Sequence, residues 1–282
     1  MKHRFFRPLA AVMLVVGLSG FTALESLFAP SANLWPKWEA HDPASTQTVD
    51  HAPWGKFLKT YVKPGRDGAN RVAYGTVNEA DKKNLHDYLA SLRKVNVANL
   101  SRNEQLAYWI NLYNALTVRV VIHFYPVDSI QEINLTGGLF SGGGPWSKDL
   151  IRINGEMISL NDIEHRILRP IWRDPRLHYA VNCASVGCPN LAVTPYTAAT
   201  VNAMLNRAAR DYVNSPRGVQ HTSDGLVLSK IYAWFSEDFG SGETMVLDHI
   251  ARHASSDTEV KIMSSTNIAA YEYDWSLNDA MK

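Results

Sequence analysis

The stretch from Ser101 to Pro126 constrains the fold more than any other part of the chain. Leu106, Trp109, Ile110, Tyr113, Leu116, Val120 and Val121 recur at helical spacing, and Ser101-Arg-Asn-Glu104 ahead of them has the pattern of a capping box. The pattern predicts a helix running to Tyr125-Pro126, where proline ends it. Asn111 and Asn114 fall on one side of that helix, beside the apolar stripe. Buried amides need hydrogen-bond partners, so these two either tie loops together or face a pocket.

Other elements follow from the same kind of pattern. Asp81 to Val95 reads as an amphipathic helix through Leu85, Tyr88, Leu89 and Leu92. The glycine-rich stretch Thr136 to Pro145 lacks the preceding strand and following helix of a phosphate loop, and reads instead as a flexible loop or active-site lid. Leu150 to Ile153, Asn154-Gly155, and Glu156 to Ser159 predict a tight hairpin. Ser159-Leu-Asn-Asp162 repeats the capping pattern and opens a helix carrying Ile163, Glu164, His165, Ile167 and Leu168, stopped by Pro170. Arg176 to Asn182 reads as a strand and Thr197 to Val213 as a helix, followed by strands at Leu226 to Phe235, Glu259 to Met263 and Ile268 to Tyr273. Strands and helices do not alternate regularly. The expected class is therefore α+β, with helices packed on one face of a mainly antiparallel sheet.

The ends and the composition set the context. Lys2, His3, Arg4 and Arg7 precede an apolar run from Leu9 to Leu24, which predicts an export signal or N-terminal anchor over 1–32. The run is shorter than the roughly 20 residues of a spanning helix, which favours a cleaved signal. Pro36, Pro43 and Pro53 mark an extended leader over 33–53, and 54–282 has the size of one domain. The destination implied is the bacterial periplasm, with membrane attachment if the signal is retained. With 28 basic against 27 acidic side chains and no basic stripe interleaved with aromatics, a nucleic-acid surface is disfavoured. A small molecule or peptide is the expected substrate.

Both cysteines lie in His178-Tyr-Ala-Val-Asn-Cys183-Ala-Ser-Val-Gly-Cys188-Pro189. A thiol where a strand breaks into small residues suits a nucleophile, with backbone amides, Asn182 and Ser185 placed to bind the substrate oxygen. It needs a base. His165 and His178 are the candidates, with Glu164 or Asp162 to orient the ring. His178 on the same strand as Cys183 would point to the opposite face, which favours His165. The alternative is a Cys183–Cys188 disulfide in a non-catalytic binding or scaffold module, worth about 2 kcal/mol for so short a loop. A zinc site lacks paired ligand spacing, and no metal or organic cofactor is implied.

Three ordered motifs carry a family resemblance: Glu104-Gln-Leu-Ala-Tyr-Trp-Ile-Asn-Leu-Tyr-Asn-Ala-Leu-Thr117, Ser159-Leu-Asn-Asp-Ile-Glu-His-Arg-Ile-Leu-Arg169, and the cysteine motif. They resemble the domain of unknown function 547 family. The likeness continues through Leu228 to Gly240 and Tyr273-Asp-Trp-Ser-Leu-Asn278, covering nearly all of the chain after the leader. The motifs also resemble a rearranged version of the papain and transglutaminase group, in which cysteine and histidine meet between a helix and an antiparallel sheet. That resemblance implies a thiol-dependent hydrolase or acyl transferase acting on an amide or ester. Here both histidines precede the cysteine, so it also implies a permuted order.

Overall fold

The computed structural model describes residues 30–135, 144–265 and 267–281. The N-terminal segment expected as a signal or anchor falls mostly on 1–29, and the expected glycine-rich lid mostly on 136–143, both outside the described residues. Among the described residues no helix is long and apolar enough to cross a membrane.

Helices α1 (Ala52–Tyr61) and α2 (Glu79–Leu92) lead to α3 (Arg102–Phe124), with the short antiparallel pair β1 (Val62–Pro64) and β2 (Asn70–Val72) between the first two. The expected helices at 81–95 and 101–125 are thus present, with ends displaced by one to three residues. Helix α3 is buried on every side from Glu104 to Val118, so its polar side chains must be satisfied within the protein. The Gln105 amide donates to Ala40 O (2.7 Å) and Val97 O (2.8 Å). The capping box expected at Ser101 does not form: Ser101 makes no side-chain cap, and Glu104 Oε1 accepts instead from the Val49 amide (2.6 Å). Leader residues are thereby drawn onto the helix, and Trp38 packs edge-on against the fully buried Trp109 with ring centroids 5.1 Å apart.

The expected hairpin is β3 (Ile151–Ile153) with β4 (Glu156–Ile158). Its two turn residues, Asn154 and Gly155, both take positive φ (43° and 93°), as such a tight turn requires. Next comes the second capping box, formed in full. Ser159 N and Oγ donate to Asp162 Oδ2 (3.0 and 2.6 Å), and Asp162 N donates back to Ser159 Oγ (3.0 Å).

The helix that follows departs from expectation. Pro170 does not stop it. Residues Asp162–Leu168 form a π-helix that runs directly into α4 (Arg169–Trp172), with Pro170 inside the first turn of α4. An α-helix continuing through Pro170 would drive the ring against the carbonyl four residues back, and the wider π turn relieves that clash. In π geometry His165 O would look to the amide of residue 170, which proline lacks. The leader supplies the donors: Asn33 N binds His165 O and Trp35 N binds Arg166 O, each at 2.9 Å. Arg166 also lies over the Trp35 ring at 4.3 Å.

Three further strand expectations are corrected. Arg176 to Asn182 is not a strand; Pro175–Tyr179 is a 3-10 helix opened by Asp174, whose side chain accepts from Arg176 N. The segment expected as one strand from Leu226 divides into β6 (Gly225–Ser229) and a short helix α6 (Lys230–Trp234), because Ser229 caps the Ile231 amide. Glu259 to Met263 lies inside helix α8 (Ser256–Ser264), whose start is capped by Ser255. Helices α5 (Val201–Val213) and α7 (Glu243–Ala251) complete the helical set among the described residues, and β7 (Ile268–Glu272) is a strand as expected.

The class is mixed α+β. Among the described residues, in place of one sheet there are three small ones, of which the largest has the order β5 (Val219–Thr222), β6, β7, antiparallel for the first pair and parallel for the second. The main core surrounds α3, and a second cluster around Tyr179, Tyr212, Tyr232 and Phe239 lies under this sheet.

Replacing Pro170 with alanine supplies an amide that competes for the His165 carbonyl. The strap at residues 30–35 is expected to loosen and to be cut faster in limited proteolysis of the native protein. An unchanged cutting rate there would show that the strap is held independently of the π turn.

Candidate functional site

The segment bearing the cysteines has no regular structure of its own, and side chains of α3 hold it. Asn114 Nδ2 donates to Ala180 O (2.9 Å) and its Oδ1 accepts from Asn182 N (2.8 Å). Asn111 makes the same two-way contact with Tyr196, at 2.8 and 3.0 Å. Of the two roles open to these asparagines, the geometry is that of ties. Asn182 is engaged in the same manner: Nδ2 donates to Pro189 O (2.7 Å) and Oδ1 accepts from Ala184 N (2.9 Å). Ala184, fully buried, is left-handed at φ 62°, a strained conformation for a residue with a Cβ.

Cys183 and Cys188 are both free thiols, Cys183 half-buried and Cys188 buried. Their sulfurs lie 2.9 Å apart, and the Cys183 amide also points at Cys188 Sγ (2.9 Å). Cys183 Sγ further contacts the hydroxyls of Tyr273 (2.9 Å) and Ser185 (3.3 Å), which are themselves 2.9 Å apart. Burial opposes ionisation of Cys183, but the hydrogen bonds from Cys188, Ser185 and Tyr273 outweigh it and bring its pKa below that of an ordinary thiol. Burial, together with the neighbouring Cys183, pushes the Cys188 thiol well up.

Tyr273 was not singled out from the sequence, where it appears as one more aromatic at the end of a strand. It belongs to a half-buried run of rings, Trp146, Trp275, Tyr273 and Trp234, with successive centroids 5.7, 4.7 and 4.9 Å apart. This run lies beside the sulfurs.

A second polar centre is built from the π-helix, the 3-10 helix and the segment after α6. His178 lies in the 3-10 helix, so the strand-parity objection to it does not apply. Its Nε2 is 2.6 Å from Asp238 Oδ2, its Nδ1 is 3.7 Å from Glu164 Oε1, and its ring stacks on Phe235 at 4.3 Å. Burial disfavours the cation, yet the two carboxylates prevail and raise the His178 pKa. His165 is the opposite case. Its Nδ1 faces Arg169 Nη1 at 3.1 Å, and arginine can only donate, so the proton of this ring is on Nε2. Burial lowers its pKa to about 4, against the pull of Glu164. Arg169 also holds Asp238 (Nε to Oδ2, 2.5 Å) and Glu237 (Nη2 to Oε1, 2.7 Å). Burial raises the Glu164 pKa, but the charges and hydrogen bonds of His165, His178 and Arg169 bring it down to about 2.

The two centres are electrostatic neighbours. Glu164 hydrogen-bonds Tyr113, and its charge opposes ionisation of Cys183. They are not joined by the contact expected of a nucleophile and its base: the polar partners of Cys183 Sγ are Cys188, Ser185 and Tyr273, and neither imidazole is among them. Neutral His165 presents an N–H, which cannot accept a proton. Asp162, expected to orient the base, is instead the helix cap and the partner of Arg166 (2.9 Å). An open cleft of about 430 Å³ lined by Leu34, Arg169, Arg173, Asp174, Glu237 and Asp238 adjoins the histidine centre. Among the described residues no cluster of three or more His, Cys, Asp or Glu side chains is arranged to hold a metal ion.

Fold and site together define a mixed α+β protein with a dithiol loop laced to a buried helix and a histidine–carboxylate centre beside it. Residues 97–213 match the model of the family described as protein of unknown function, DUF547. The matched segment carries Asn111, Asn114, Glu164, His165, His178 and both cysteines; Asp238 and Tyr273 lie beyond it. No curated protein and no solved structure matches the chain.

If Tyr273 stabilises the Cys183 thiolate, Tyr273→Phe removes a hydrogen bond to a charged group, worth about 1.5 kcal/mol or more. The thiol pKa is then expected to rise by roughly one unit, slowing iodoacetamide alkylation near neutral pH about tenfold. His165→Ala is expected to leave that rate nearly unchanged. The reverse ranking in a pH–rate titration would return the base role to His165.

Stability should fall early on acidification. Burial lowers the pKa values of His51, His165 and His249 from 6.5 to about 4. The unfolded chain therefore takes up these protons first, so their contribution is present above pH 6.5 and is lost as pH falls towards 4. Glu164 and Asp238, both at about 2, extend the loss below the ordinary carboxylate range. His178 has a raised pKa and works the other way: its contribution is present below pH 6.5 and is lost as pH rises through the folded value. Urea midpoints are expected to drop steadily from neutral pH to 4, and a plateau over that window would contradict the assignment.

Proposed function

We propose that the protein is an exported thiol-dependent hydrolase or acyl transferase in which Cys183 attacks an amide or ester carbonyl. The observation that carries this reading is the set of polar groups around the sulfur of the half-buried Cys183, with a strained residue directly after it. A thiolate in contact with Cys188 and the hydroxyls of Ser185 and Tyr273 needs no imidazole on the sulfur to become nucleophilic. The loop amides of Cys183, Ala184, Val186, Gly187 and Cys188 all have protein acceptors. The developing oxyanion would fall to the hydroxyls of Ser185 and Tyr273, released from the sulfur as its charge passes to the substrate. Glu164, His178, Asp238 and Arg169 act as a charged buttress, and neutral His165 offers its Nε2–H as a hydrogen-bond donor for a leaving group. Export follows from the basic and apolar N-terminal segment, which points to the periplasm.

A second reading is a non-catalytic binding or scaffold module with Cys183 and Cys188 bridged. The occupied loop amides and asparagines favour it, since they describe a loop built for rigidity.

The two readings separate on a nitrophenyl ester assayed by intact mass. The enzyme reading expects one acyl group on the wild-type protein, none on Cys183→Ser, and about tenfold slower acylation of Tyr273→Phe. A bridge that resists mild reductant, together with no acylation, would establish the scaffold reading.

A further inference from the structure

The acyl-transfer reading uses Cys188 only as a hydrogen-bonding neighbour of the nucleophile and never as a reacting thiol. A second thiol placed against a nucleophile is chemically consequential, and three features give this one a direction. Cys183 is the half-buried and so the outer residue of the pair, while Cys188 is only 4% exposed and has Cys183 Sγ at 2.9 Å. The Cys183 amide is aimed at Cys188 Sγ (2.9 Å), so a charge appearing there meets a waiting donor. The loop backbone is held from outside: Arg217 Nη1 donates to Cys188 O (2.7 Å) and the Tyr212 hydroxyl to Gly187 O (2.6 Å). The sulfurs can thus change bonding partner while the main chain keeps its course.

We infer that Cys183 and Cys188 form an exchanging dithiol, with Cys183 the attacking and Cys188 the resolving sulfur, and that its substrates are disulfides carried on peptide segments. This rests on the reading of Cys183 as nucleophile and gives that nucleophile a second class of electrophile. The Cys183 thiolate attacks one sulfur of the substrate disulfide, forming a mixed disulfide and releasing the first substrate thiolate. Cys188 gives its proton to that thiolate and attacks Cys183 Sγ, closing the internal disulfide and releasing the second substrate sulfur as a thiolate, which water protonates. Two protein thiols are oxidised and one substrate disulfide is reduced to two thiols. Run in reverse, the same steps pass the disulfide to an incoming dithiol. The depressed pKa of the outer thiol and the raised pKa of the inner one suit this order of attack. The half-buried rings of Trp146, Trp275, Tyr273 and Trp234 give the peptide around the disulfide an apolar surface to lie on.

The test uses the full chain, reduced and freed of reductant, with oxidised glutathione as probe and intact mass as readout. The wild-type protein is expected to lose two hydrogen masses with no lasting adduct, whereas Cys188→Ser traps one glutathionyl group and Cys183→Ser neither traps nor closes. A disulfide-bridged peptide with apolar flanks should react at least tenfold faster than oxidised glutathione, and Trp275→Ala should erase that preference. Equal, lasting glutathionylation of the wild type and Cys188→Ser would overturn the resolving role and leave the nucleophile intact. No reaction in any folded variant, judged by circular dichroism, would overturn both.

Discussion

A helix buried on all sides cannot leave a polar side chain idle, and this constraint organises the molecule. Asn111 and Asn114 lie on the part of α3 that no solvent reaches, and each resolves its position by binding both the N–H and C=O groups of the chain that crosses it. The crossing chain is the irregular run from Ala180 to Tyr196, which contains both cysteines. An irregular segment buried this deeply would otherwise leave several backbone groups without partners, at about 1–3 kcal/mol each. The helix therefore acts as a template. It supplies the hydrogen bonds that a sheet would supply to a strand, and it does so without forcing the segment to be straight.

That freedom explains how the left-handed Ala184 is tolerated and how two sulfurs come to face each other across one turn. It also explains the separation of the sulfur centre from the histidine centre. Each is internally satisfied: the thiols by Ser185 and Tyr273, the imidazoles by Arg169, Asp238 and Glu164. What joins them is the long-range field of a buried carboxylate, which opposes a thiolate nearby. A substrate that takes over negative charge from the sulfur would be favoured by the same field.

Local order was legible in the sequence wherever one short pattern has one physical outcome. The Asn154-Gly155 turn, the Ser159–Asp162 cap and α3 itself are of this kind. The errors arose where a distant partner decided between local alternatives. Glu104 left its expected cap because the Val49 amide was the better donor, and Arg176 to Asn182 failed to become a strand because Asp174 opened a 3-10 turn and Asn114 claimed the backbone beyond it. In the site, the cysteines were found because they are rare and clustered. Tyr273 was missed because nothing local distinguishes it, and it reaches Cys183 across a sequence separation of 90 residues. The tautomer of His165 was likewise invisible, since it follows from the direction of a guanidinium one helical turn away.

The strap against the π turn carries a consequence for the order in which the molecule can be completed. Pro30 O meets Arg169 across 139 residues of sequence, and the Ala32 amide meets Glu237 across 205. Synthesis delivers the strap long before either partner exists. The leader must therefore wait unpaired while α3 assembles its core, and it can settle only after the segment beyond α6 has emerged. Contacts of such separation are entropically the most costly to close, so the strap is a seal on a finished body and not a nucleus for it. Until it settles, the carbonyls of His165 and Arg166 stand open beside the histidine centre, and the chain passes through a stage with its reactive groups in place and its outer edge unsealed.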